Sequence, residues 1–231
     1  MSVRLPPRAE KARNAYRQMT IAQPLAQVLR IQRWKDAPLR PLAAGARLVV
    51  ALLFLISIAS AACAQSLNAA KLTFGGTDYL HRWSKEGQNE FTPQSDSDLS
   101  HWRDMVTINV HETVHDGDQL ADVANRVVTN YQSHGKIIRT DSKPRTPQHP
   151  AEHLLVAVLG DPAFLEAAFA RFVLVDGVGF VIVYSHRIYG KEVGQSMSAW
   201  LESNGPSIEK TLMTWDRIPS LAKLKQLPQS R

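Results

Sequence analysis

The run Ala-Ala-Phe-Ala-Arg-Phe-Val-Leu-Val (167–175), Asp-Gly-Val-Gly (176–179), Phe-Val-Ile-Val-Tyr-Ser-His-Arg (180–187) decides the fold class. Asp161-Pro162 can open a helix, and Phe164, Leu165, Ala168, Phe169 and Phe172 fit its period. The β-branched density of Val173, Val175, Val181, Ile182 and Val183 favours two strands instead. The segment therefore reads as a hairpin turning at Asp176–Gly179, with at most one helical turn before it.

Upstream, Glu152–Leu159 is apolar on both faces, as a central strand requires, and Lys136–Asp141 is a shorter strand. Pro144, Pro147 and Pro150 mark an extended loop at Ser142–Pro150. Leu120, Val123, Ala124, Val127, Val128 and Tyr131 repeat at helical spacing, the best helix signal in the chain. Asp118 is its expected N-cap, and Gly135 ends it. Met105–Val110 alternates, with Val106, Ile108 and Val110 on one face. Residues 65–103 read as irregular, punctuated by Gly75-Gly76, Gly87 and Pro93, with Phe74, Tyr79, Trp83, Phe91 and Trp102 packing them onto the sheet.

Downstream, Met197, Trp200 and Leu201 suit a helix ended by Asn204-Gly205, and Pro206 opens a second one carrying Ile208, Leu212, Met213 and Trp215. The tail 218–231, with Pro219 and Pro228, is expected to be flexible. Strands segregated from helices argue α+β, a central antiparallel sheet packed by helices. The expected domain spans 65–217.

His111-Glu112-Thr113-Val114-His115 is a literal H-E-x-x-H. On a helix, residues four apart share one face, two imidazoles reach one zinc, and the glutamate activates its water. Here the preceding residues alternate as a strand and Asp116-Gly117 follows at once. Four residues of strand span about 13 Å, too far for two ligands at about 2 Å from one metal. A solvated strand-end loop is the expected state. A zinc-dependent metallohydrolase with His111 and His115 as ligands and Glu112 as base is the alternative, and its third ligand is undefined.

Other chemistry is sparse. Ser185-His186-Arg187 with Tyr189 leaves a strand end, and His186, Arg187 and Tyr189 are the ligand-contact candidates. No Gly-x-Ser-x-Gly elbow, P-loop or dinucleotide fingerprint occurs, so no catalytic residue is assigned and no cofactor or metal is expected.

The chain has 231 residues, a net charge of +6 and a sequence pI of about 9.6. That balance suggests nucleic acid until it is located. Residues 1–47 hold ten of the 27 basic and two of the 21 acidic residues, or +8, which leaves 17 against 19, or −2, for the remainder. The body is mildly acidic, and no nucleic-acid partner is expected.

The apolar core Leu48–Ile58 (11 residues) follows the basic stretch, and small residues follow it up to Ala64. This is the order of a signal peptide, with cleavage expected between Ala64 and Gln65. A retained anchor is the other option, since residues 48–64 number 17, the lower edge of a spanning helix. Met19 competes with Met1 as the start, because it shortens the basic region to 29 residues and keeps its charge. Cys63, the only cysteine, lies in Ser60-Ala61-Ala62-Cys63, which resembles a lipobox with serine in the usual leucine place, and is a lipidation candidate. The domain is expected to be exported, periplasmic or tethered to that side of a membrane, with membrane contact through residues 1–64 only.

The layout resembles the PsbP-like α/β sandwich over roughly residues 88–216. The resemblance is carried by Phe91-Thr92-Pro93 ahead of Trp102 and the Val106–Val110 strand, the helix Asp118–Gln132, and the hairpin closing at Val183-Tyr184-Ser185-His186. It also extends to exported bacterial proteins of unassigned activity. It implies a role in binding or assembling other proteins and transfers no functional residue. The expectation is a non-enzymatic envelope domain working through an envelope protein or a small ligand.

Overall fold

A computed structural model describes residues 70–230. Cys63, the Ala64/Gln65 junction and the basic stretch lie outside the described residues.

Eight strands form one antiparallel sheet: β1 (Lys71–Phe74), β2 (Thr77–Lys85), β3 (Gln88–Pro93), β4 (Asp104–His111), β5 (Gly135–Lys143), β6 (Glu152–Asp161), β7 (Phe164–Val175) and β8 (Val178–Tyr189). Their order is β1-β2-β3-β4-β8-β7-β6-β5. Two four-strand meanders thus meet where β4 pairs with β8 along its whole length, from Asp104↔His186 to His111↔Gly179. Helix α1 (Gly117–His134) carries the chain from β4 to the far edge and lies over β5, β6 and β7. Helix α2 (Gly194–Thr214) covers β7 and β8 from the opposite face, and a short α3 (Leu221–Lys225) follows. The α+β class with a helix-packed antiparallel sheet is as the sequence reads.

The central hairpin forms as expected but with a tighter turn. Val175 pairs with Val178, leaving Asp176 (φ 49°) and Gly177 (φ 76°) as a two-residue loop, the left-handed pair that matches strand twist. No helical turn precedes β7. Asp161 pairs with Phe164, so Pro162-Ala163 is itself a hairpin loop.

Residues 65–103 are corrected most. From Lys71 they supply three strands, because Gly75-Gly76 and Glu86-Gly87 are hairpin turns with positive φ rather than irregular punctuation. Asp116, not Asp118, caps α1: its carboxylate accepts the Gln119 N–H at 2.8 Å. The two expected C-terminal helices are one. Met197, Leu201, Gly205 and Leu212 form one buried row, and this burial carries the axis through Pro206 despite its missing N–H. The tail is not the flexible end expected. Leu224 and Leu227 are buried in the main core, and the Ser230 N–H donates to the Ser84 carbonyl at 2.7 Å.

The sheet has two unequal cores. The α2 face buries Val106, Ile108, Phe169, Phe180 and Ile182 beneath α2 and the tail. The α1 face buries Leu120 and Val123 against Leu155, Ala168, Ala170 and Phe172.

Candidate functional site

Both polar clusters of interest sit at one end of the sheet, where β4 begins and β8 ends. Alternation sends successive β8 side chains to opposite faces. His186 therefore goes to the α2 face with Tyr184, while Arg187 and Tyr189 go to the α1 face. The three residues that sequence proximity groups are two sites.

On the α1 face, Arg187 donates from Nε to Glu166 Oε2 at 2.8 Å. Its guanidinium lies between Trp102 and Phe164, 3.8 and 4.1 Å from the ring centroids. The Tyr189 hydroxyl donates to the Trp102 carbonyl at 2.8 Å, and its ring lies 4.0 Å from that of His101. Burial pushes the Glu90 carboxyl up, opposed by the Gln88 amide and by Arg187, with Glu166 adding to the rise. Arg187 is thus committed to closing this end of the sheet.

The α2 face is arranged differently. Asp104, the first residue of β4, accepts at Oδ1 from the Tyr184 hydroxyl (2.7 Å) and from His186 Nδ1–H (2.7 Å). His186 is stacked on Trp200 of α2, with centroids 3.9 Å apart and planes 2° apart. Tyr79 of β2 stands on the same face, edge-on to Phe74, which stacks on Tyr184. Burial raises both tyrosine hydroxyls well above the ordinary phenol range, and Asp104 and Asp96 add to the rise. Asp96 itself is held by the backbone N–H groups of Arg103 and Asp104, at 2.9 and 2.8 Å. Tyr79 and His186 are 4% and 7% exposed, yet the Asp104 side chain between them is 25% exposed, so solvent reaches the carboxylate.

Histidine with an oriented carboxylate is the arrangement of a general base. Among the described residues no serine, threonine or cysteine is hydrogen-bonded to His186, and Ser185 points to the other face. The arrangement holds one acceptor, the Asp104 carboxylate, in place. Of its members the sequence singles out only His186; Asp104, Tyr79 and Trp200 come from three other elements. The one sequence signal for Asp104 is its place at the head of the Val106–Val110 strand.

The H-E-x-x-H segment is not helical: His111 ends β4 and a turn follows. Glu112 pairs with Lys225 at 2.6 Å, and His115 Nδ1–H donates to the Gly177 carbonyl at 3.0 Å. Among the described residues no group of three or more His, Cys, Asp or Glu side chains is placed to hold a metal ion.

His111, His81 and His153 share one property: burial holds each imidazole below its usual range, helped at His111 by Arg126 and opposed at His81 by a backbone bond. The folded state then binds fewer protons than the unfolded one. Their stabilisation is complete above the unfolded value of about 6.5 and is lost as pH falls toward the folded values. We expect a lower urea midpoint at pH 5.5 than at pH 7.5, and a smaller difference in His153→Asn. An unchanged difference would remove His153 from this account.

Among the described residues no helix is long and apolar enough to cross a membrane. No protein-family model matches the chain, and no curated protein matches it in sequence. Two solved structures are similar at a distance. A Pseudomonas aeruginosa protein of unknown function, PA94, gives a TM-score of 0.37 at 14% identity, over 65% of this chain and 98% of that one. The Saccharomyces cerevisiae Ran-binding protein Mog1p gives 0.40 at 13% identity, over 63% and 91%.

Proposed function

We propose that this chain is an exported, PsbP-like α/β sandwich of the cell envelope that works by binding a protein or small ligand rather than by catalysis. The order of basic stretch, short apolar core and small residues before Gln65 supports export. The observation that carries the binding reading is the Asp104 centre, where two buried donors, the Tyr184 hydroxyl and His186 Nδ1–H, orient a partly exposed carboxylate. Preorganised polar groups of this kind fix a ligand's orientation in small-molecule sites.

Export is tested by the intact mass and N-terminal sequence of protein recovered from cell fractions. We expect a chain beginning at Gln65 in the periplasmic fraction. A chain beginning with a lipid on Cys63, or one retaining residues 48–64 in the membrane, selects the tethered form. A full-length chain in the cytoplasm overturns the reading.

A further inference from the structure

We infer that the part of the α1 face formed by β2, β3 and β4 is a binding site for an uncharged pyranose sugar. The site lies across the sheet from Asp104 and does not depend on export. α1 packs against β5, β6 and β7, and α2 lies on the other face, so Trp83, Gln88, Glu90, Thr107 and Asn109 have no helix over them. Register and alternation put these five side chains on one face. Trp83 pairs with Glu90, Glu90 with Thr107, and Gln88 with Asn109. Val106 and Ile108 fill the core beneath α2, which turns Thr107 and Asn109 the other way. Paired side chains stand about 5 Å apart and alternate ones along a strand about 7 Å, so the five form a patch of about 10 Å by 7 Å. That is the footprint of one sugar ring with its hydroxyls.

A solvated sheet face is ordinary, but an unengaged tryptophan on it is not. Trp102 carries the Arg187 guanidinium, Trp200 stacks on His186, and Trp215 meets Phe74 edge-on. Trp83 is half-buried, and among the described residues no ring or cation lies against it and its indole N–H has no partner. The polar atoms around it are open too. Gln88 Nε2 donates to Glu90 Oε1 at 2.7 Å, which leaves Gln88 Oε1 and Glu90 Oε2 without a partner among the described residues. The Thr107 hydroxyl and the Asn109 amide have none there either. A pyranose with equatorial hydroxyls offers C–H groups on its flat faces and hydroxyls around its edge. One face suits the indole, and the edge suits a carboxylate that accepts and amides and a hydroxyl that both give and take. A protein partner would need about 800 Å² per side around an apolar centre. Among the described residues of this patch and its border, Leu80 and Trp83 alone are half-buried apolar side chains.

The test follows the Trp83 indole N–H and the Asn109 side-chain amide by NMR, in the protein as recovered from cells. The probes are cellotriose, chitotriose and glycerol. We expect saturable shifts of both signals with half-saturation at about 1 mM cellotriose, and at least about tenfold weaker response to glycerol, which has hydroxyls but no ring face. The affinity should be equal at low and high salt, because the ligand carries no charge to screen. Trp83→Ala should weaken binding about tenfold or more, read at Asn109, and Trp83→Phe should recover part of the loss. Thr107→Val, which keeps the shape and removes the hydroxyl, should weaken it about threefold to fivefold. Tighter binding of chitotriose than of cellotriose selects an acetamido sugar, and the reverse selects a plain glucan. Equal responses to cellotriose and glycerol, no response to either saccharide, or full affinity in both Trp83→Ala and Thr107→Val overturns the sugar site. Shifts that ignore sugar and grow with protein concentration assign the face to a contact between two copies and overturn it as well.

Discussion

Replacing Arg171 by methionine is expected to remove about 3–5 kcal/mol of stability, the range for breaking a buried ion pair by deleting one partner. Arg171 lies at the centre of β7 with its side chain 7% exposed. Its Nε donates to Glu152 Oε2 at 2.8 Å. Its Nη1 donates to the Leu212 and Trp215 carbonyls at 2.9 and 2.8 Å. These carbonyls belong to the unsatisfied end of α2, where a helix presents partial negative charge. One planar guanidinium therefore joins the sheet, the edge of β6 and the end of α2. Methionine fills the volume and leaves the Trp215 carbonyl without this donor, the Leu212 carbonyl with only the Trp215 N–H at 3.4 Å, and Glu152 with only the more exposed Lys143 at 3.2 Å. Arg171→Lys should recover part of the loss, since a point charge reaches fewer of the three acceptors than the planar fork. Adding Glu152→Gln to the methionine variant should also recover part, because the stranded charge is removed. Urea unfolding measures all four chains. A methionine variant within about 1 kcal/mol of the parent would show that α2 docks without this latch.

Much of this architecture is legible in the residues. The Val106–Val110 alternation, the 120–131 periodicity and the β-branched hairpin each bury enough apolar surface to dominate local choices. The places where the reading departs share a cause, the outweighing of local punctuation by distant packing. Gly75-Gly76 and Gly87 look like loop residues because a hairpin turn and a loop ask for the same backbone freedom. Pro206 looks like a helix start because the row joining Met197, Leu201 and Leu212 shows only once the sheet is in place. The tail looks polar until Leu224 and Leu227 find a face of the sheet to cover.

The site is less legible than the fold. His186 and Arg187 are neighbours in sequence but lie on opposite faces, and Asp104, 82 residues earlier, becomes the partner of His186 through strand register alone. Register is a tertiary property that no local pattern near Asp104 encodes. The H-E-x-x-H shows the converse: its letters match a zinc site, yet the backbone that would align them is a strand end.

Gly135→Ala is expected to destabilise the chain by about 3 kcal/mol, the upper end of overpacking costs. His134 closes α1 and Gly135 opens β5 with no residue between them. A Cβ on Gly135 would lie 2.1 Å from the Val158 carbonyl oxygen and 2.8 Å from Leu159 Cα, both backbone atoms of β6. No rotamer change relieves that contact; β5 must separate from β6, or α1 must lift from Leu155 and Phe172. The sequence assigns Gly135 another role, that of a left-handed helix stop, and the two explanations part at one substitution. A left-handed stop tolerates asparagine. The Gly135 φ is 179°, extended backbone that any residue adopts, so the constraint is the missing Cβ and not the dihedral. Gly135→Asn should therefore be as damaging as alanine. Gly177→Ala gives the calibration. Nothing lies within 4 Å of its added Cβ, and only the positive φ of 76° opposes it, at about 1–2 kcal/mol. Urea midpoints of the three variants separate the accounts. An asparagine variant close to the parent, with alanine impaired, would restore the helix-stop role and show that β5 accommodates the side chain.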